Sequence, residues 1–165
     1  MSKHDPASAE APDLSIAGKS ASMLAPALEV DVTTAAGNRW SASIFGGRTG
    51  LTQSANSPNS STLLCVAGGI PYLILVEKPD RYEVLPIRPV REIIPVIDAK
   101  LMILVGYTSL LAVGVDGVKW ASPRLVSDGF SEVRVALSRV VVRGVSARDN
   151  MEIEITLDLA TGEAV

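Results

Sequence analysis

The residues able to do chemistry are few and scattered. The chain has one cysteine, Cys65, and one histidine, His4, far apart in sequence. A thiol needs a neighbouring base to act as a nucleophile. Cys65 instead sits inside the apolar run Leu63-Leu64-Cys65-Val66-Ala67, which marks it as a core residue. His4 belongs to a polar N-terminal stretch, so neither Ser/His/Asp nor Cys/His catalysis is expected. Zinc needs clustered His and Cys and calcium needs closely spaced carboxylates, and neither pattern is present, so no metal is expected. General acid–base work would fall to Asp, Glu, Lys or Tyr82. Asp98, Asp116 and Asp128 are candidates to meet in space, but no spacing singles any of them out.

Four short motifs touch on binding. Gly18-Lys19-Ser20 ends like a phosphate-binding loop, but Asp13 stands where the first glycine is required and no strand is expected before it, so no nucleotide site is assigned. Gly46-Gly47-Arg48-Thr49-Gly50 has consecutive amides beside an arginine, a pattern that can hold an anion; it is read as a mobile loop. Pro86-Ile87-Arg88-Pro89-Val90-Arg91 has polyproline-ligand spacing and is read as a connection between strands. Asn59-Ser60-Ser61 is a glycosylation sequon that matters only on secretion.

The elements that must position these residues are β-rich. The 165 residues suffice for one domain with its own core. Apolar residues make up 47% and aromatics 4%, so that core is aliphatic and favours strands between Gly and Pro punctuation. The net charge of −3 argues against a nucleic-acid-binding domain. Arg124, Arg134, Arg139, Arg143 and Arg148 are interleaved with acids, as on a solvated sheet face. One cysteine excludes an internal disulfide and points to no oxidising compartment. Met1–Pro6 has charge without an apolar run behind it, so no signal peptide is expected. No stretch reaches bilayer-spanning length without polar interruption. The expectation is a soluble, cytoplasmic, bacterial-type protein without membrane contact or cofactor.

A repeat organises the chain. Gly68, Gly106 and Gly144 each close a short apolar run, at one spacing of 38 (106 − 68 = 38; 144 − 106 = 38). Such a period signals stacked or radial β-units. Residues 1–26 read as a disordered arm, with one weak helical turn near Ser20–Leu24, and residues 27–165 as a single β domain. Leu28–Val32 and Arg39–Ile44 alternate as a hairpin, and 46–62 reads as a long polar loop. Strand candidates follow at 63–67, 72–76, 82–87, 93–97, 101–105 and 110–115. Val133, Val135 and Leu137 then alternate with polar residues, Val140 and Val142 continue, and 151–159 alternates most clearly of all. Val90, Ile93, Ile94 and Ile97 have helical spacing, but Pro95 sits among them. The fold class is therefore all-β, built from repeated antiparallel units. Unbroken runs imply strands covered on both faces. Buried inner and alternating outer strands fit a propeller blade read from hub to rim, or a β-sandwich.

Two segments carry a family resemblance. Ile153–Glu163, with Leu157-Asp158-Leu159-Ala160-Thr161-Gly162, and Leu111–Trp120, with Val115-Asp116-Gly117, resemble blades of the quinoprotein-type β-propeller. The resemblance covers residues 63–165 and implies a blade architecture with Trp120 as a docking residue between blades. A closed propeller takes at least four blades. The N-terminal hairpin would then count as one, or copies would close the ring, or the sheet stays open or forms a sandwich. The acids and amides of a quinone and calcium site are missing, so that redox activity is not implied.

The expected function is non-enzymatic: a protein-interaction module of inhibitor, immunity or scaffold type, with a protein partner or self-association and no nucleic acid. Arg48, Tyr82, Trp120 and Arg124 are the candidate anchors, being residue types that dominate interfaces. The alternative is a small-ligand-binding β-domain that uses the 46–62 loop as a lid.

Overall fold

The computed structural model describes residues 13–17 and 27–165, where every regular element except one 3-10 turn is a β-strand. The first sheet holds β1 (Asp13–Ala17), β2 (Leu28–Thr33) and β3 (Arg39–Phe45) in the order β1-β3-β2. Period-two alternation makes β2 and β3 an antiparallel hairpin, with Val30 opposite Ala42. β1 lies within the stretch read as a disordered arm. It pairs in parallel with β3, Ile16 opposite Ile44, and Leu14 and Ile16 give it an apolar face. Residues 1–12 and 18–26, including the helical turn expected at Ser20–Leu24, lie outside the described residues.

Three antiparallel meanders follow. The second sheet runs β4 (Gln53–Asn56), β5 (Thr62–Ala67), β6 (Ile70–Leu75), β7 (Tyr82–Val84). The third runs β8 (Glu92–Val96), β9 (Leu101–Val105), β10 (Leu110–Gly114), β11 (Gly117–Ala121). The fourth holds β12 (Phe130–Ala136), β13 (Arg139–Val145) and β14 (Glu152–Asp158). Pro95 sits on β8, at the edge of its sheet, where its missing N–H costs no ladder bond.

The sheets lie in a row, separated by three apolar layers. Ile16, Trp40 and Ile44 meet Cys65, Tyr72 and Ile74 in the first layer. Leu64 and Val66 meet Met102, Leu104, Leu111 and Val113 in the second. Leu101, Ile103, Leu110 and Trp120 meet Val140, Val142 and Leu157 in the third. This accounts for the unbroken apolar runs. Neighbours Ile103 and Leu104 are both fully buried, on opposite faces of one strand, each contributing about 1.5–3 kcal/mol. The alternating strands β2, β3 and β12–β14 belong to the two end sheets, which have a core on one side only. Alternation thus reports place in the row rather than distance from a hub. Among the described residues no core cluster joins the first sheet to the fourth, and the row is open rather than a closed propeller.

The two outward faces are polar. On the fourth sheet Arg143 meets Glu154 at 2.7 Å and Glu132 at 3.1 Å, and Arg134 lies 3.9 Å from both acids. Such exposed pairs stabilise little. Their consequence is that the face is fit for water, as terminal units of stacked repeats require.

The 38-residue period marks the second strand of three successive sheets: Gly68 follows β5, Gly106 follows β9 and Gly144 lies in β13. The first two close apolar runs in turns. The third faces Val126, whose Cγ1 lies 2.7 Å from where a Cβ would stand.

The 46–62 segment is not a free loop. It contains β4, and its first part is tied down by backbone bonds. Gly47 N–H donates to Ala67 O, Leu51 N–H to Val90 O, and Gly69 N–H to Leu51 O. At this end of the row the turns touch in series, whereas the opposite end carries the projecting hairpin tips.

Candidate functional site at the hairpin tips

β12 and β13 are joined by a two-residue turn, since Ala136 pairs with Arg139. Its first residue, Leu137, has φ 54°. A side chain in left-handed backbone costs about 1–2 kcal/mol, which is why such turns favour Gly, Asn or Asp. Leu137 is also 98% exposed, so burial offsets none of that cost. Ile97, on the 3-10 turn Ile97–Ala99, is 83% exposed. That turn is closed by Lys100, itself left-handed, whose N–H donates to Ile97 O. Val115 and Val118, around the β10–β11 turn, are exposed as well.

Two grooves lie between these tips. One, of about 650 Å³, separates the third and fourth sheets and is lined by Leu101, Val115, Val118, Leu137 and Leu159. The other, of about 490 Å³, separates the second and third sheets and runs past Asn56–Ser60, Pro95 and Ile97. Lys100, Leu101 and Val115 form the wall they share. Asn59 Nδ2 donates to Val115 O at 2.9 Å and holds that wall to the second sheet. Asp98, Lys100, Asp116, Lys119 and Asp158 surround the larger groove with charges of both signs. An apolar floor inside a polar rim is the layout of a protein-binding surface.

The four anchors expected from sequence do not form one site: Arg48 and Arg124 lie on turns at the end opposite the hairpin tips, and Trp120 is in the core. Arg48 is exposed in the loop after β3. Tyr82 begins β7; its ring meets Tyr72 edge-on at 6.0 Å and its hydroxyl donates to Ala17 O at 3.2 Å. Trp120 is corrected from anchor to core residue. It is 8% exposed in the third apolar layer, with its Nε1–H donating to Leu159 O at 2.9 Å. Arg124 is exposed, but its guanidinium donates to Val126 O at 3.0 Å and Ser127 O at 2.6 Å. Of the three acids, Asp98 and Asp116 line the larger groove together, while Asp128 lies at the other end and accepts from the Tyr107 hydroxyl at 2.5 Å. That acceptor carboxylate raises the Tyr107 pKa.

Leu137 and Ile97 close the strand patterns expected at 133–137 and 93–97, and both are tip residues. For Leu137 a signal existed. Val133 and Val135 are odd-numbered, Val140 and Val142 even-numbered, and a change of parity between paired strands requires an even-numbered turn at 137–138.

Cys65 is fully buried, and desolvation pushes its thiol up to about 12. The folded chain therefore keeps the neutral thiol at ordinary pH. A thiol reagent such as Ellman's is expected to leave the native protein unlabelled at pH 8 and to titrate one thiol after denaturation. Rapid labelling of the native chain would show that this core opens readily. Among the described residues no three His, Cys, Asp or Glu side chains are placed to hold a metal, and no helix is long and apolar enough to cross a membrane. No family model matches the chain, and no curated protein matches it in sequence.

Proposed function

We propose that the protein is a non-enzymatic protein-interaction module that takes an apolar partner segment across its hairpin tips. The observation that carries this reading is Leu137: an aliphatic side chain in left-handed backbone, almost wholly in water. Local structure favours a different residue there, and an outlier that folding does not reward points to function. Asparagine suits the turn better. Leu137→Asn is therefore expected to raise stability by about 0.5–1 kcal/mol, by relieving the left-handed strain. It is also expected to abolish partner binding. The check pairs a urea melt with site-specific photo-crosslinking in the cell that makes the protein. A crosslinker at 137 should trap one protein, one at Asp31 should not, and Ile97→Lys should suppress the adduct. Loss of stability in Leu137→Asn, or equal adducts at 137 and 31, would overturn the reading.

A second reading, small-ligand binding, draws on the 490 Å³ groove beside Asn56–Ser60. It calls for a melting temperature that rises with ligand concentration.

A further inference from the structure

The end of the row opposite the hairpin tips carries a second surface. Its turns touch in series from the first sheet to the fourth. A Cβ on Gly47 would lie 2.4 Å from Gly68 O, and one on Gly69 would lie 2.7 Å from Pro89 Cβ. Arg91 N–H donates to Val105 O, and the Arg91 guanidinium lies 5.5 Å from the centroid of the Tyr107 ring. Leu125 N–H donates to Thr108 O and Ser127 N–H to Val145 O. Five arginines, Arg48, Arg88, Arg91, Arg124 and Arg148, lie on these turns, and all are exposed. Among the described residues no lysine lies on these turns. Among the described residues the acids at this end are Asp128, bonded to Tyr107, Asp149, bonded to Met151 N–H, Glu92, which follows Arg91, and Glu152, which begins β14 beside Asp128. The chain as a whole is acidic, at −3, whereas the cations of this end among the described residues are all arginines.

We propose that this arginine strip binds an extended acidic polypeptide segment. Guanidinium groups meet carboxylates in paired, planar hydrogen bonds, which favours arginine over lysine where carboxylates are recognised. Two of the five are already held in place, Arg124 by backbone carbonyls and Arg91 by the Tyr107 ring, so less freedom is lost on binding. Facing sheets lie about 10 Å apart, so four of them span about 30 Å, or about nine residues of extended chain. A nucleic acid fits less well. A continuous phosphate chain would run past the strip onto an acidic molecule, and the Tyr107 ring that bases would stack on already carries Arg91.

The test uses the full chain and fluorescence anisotropy with two labelled probes: a ten-residue peptide rich in Asp and Glu, and a ten-nucleotide thymidine oligomer. The peptide is expected to bind more tightly than the oligomer, and added salt should weaken it. Arg48→Glu/Arg88→Glu should weaken it by about tenfold, as should Arg91→Glu/Arg148→Glu. These side chains are exposed, so circular dichroism should be unchanged. Leu137→Asn, at the other end, should leave peptide binding as it was, which separates this surface from the tip site. Peptide binding unmoved by charge reversal, tighter binding of the oligomer, or no peptide binding at millimolar concentration would each overturn the proposal.

Discussion

Gly68→Ala is expected to lower the melting temperature by roughly 6–12 °C, corresponding to about 3 kcal/mol in a chain of this size. Two costs combine. Gly68 has φ +51°, where a side chain strains the backbone. The added Cβ would also stand 1.9 Å from Gly47 O, a backbone atom that cannot swing aside. Moving it disturbs the bond from Gly47 N–H to Ala67 O, and with it the tie between the 46–52 segment and the second sheet. Gly37→Ala supplies the control. Its φ is +84°, but nothing lies within 4 Å, so only the strain of about 1–2 kcal/mol applies. Differential scanning calorimetry of both variants separates the terms. Equal losses would show that the close approach carries no cost.

Trp120→Ala is expected to be about as severe or worse, at about 3–5 kcal/mol. The indole fills the third apolar layer, and Gly162 packs onto it so closely that a Cβ there would come within 2.6 Å of the ring. Trp120→Phe isolates the polar part: it keeps most of the volume but leaves Leu159 O without its donor, for about 1–3 kcal/mol. Trp40 does the equivalent work between the first and second sheets, its Nε1–H donating to Val76 O at 2.8 Å. Among the described residues each core layer joins neighbouring sheets, so the loss should be local. Hydrogen exchange in Trp120→Ala should accelerate first in β12–β14, with β2 and β3 protected nearly as in the parent. Uniform acceleration would mean that the row unfolds as one unit.

Much of this architecture was legible in residue order, because two-sided burial and one-sided burial write different patterns. Leu101-Met102-Ile103-Leu104-Val105 has no polar interruption because its odd-numbered residues enter one layer and its even-numbered residues the next. Glu152–Asp158 alternates because one of its faces meets water. The glycine period was real as well. What it could not reveal is whether successive sheets turn about an axis or proceed in a row, since either arrangement buries the same faces of the same strands. β1 was missed because five residues with two inward apolar side chains barely differ from coil. The two sites were harder still. Leu137 extends the alternation of β12 and so passes for a strand residue, and only the change of parity after it gives the turn away. The arginine strip is invisible to periodicity, because Arg48, Arg88, Arg91, Arg124 and Arg148 are brought to one end by turns that belong to different sheets.

The polar faces of the first and fourth sheets bear on how such a molecule can change in length. A row with two hydrated termini and apolar interior boundaries can accept another meander only at an interior boundary, because only there are both new surfaces met by apolar ones. Copying the fourth sheet onto the end would bury the ion pairs of Arg143 with Glu132 and Glu154 under an apolar face, at a desolvation cost of several kcal/mol per ion that their mutual attraction need not repay. Duplicating the third, which is apolar on both sides, would lengthen the row and move the arginines at its two ends further apart by the thickness of one sheet. The reach of the molecule is thus adjustable by internal duplication, while its termini stay as they are.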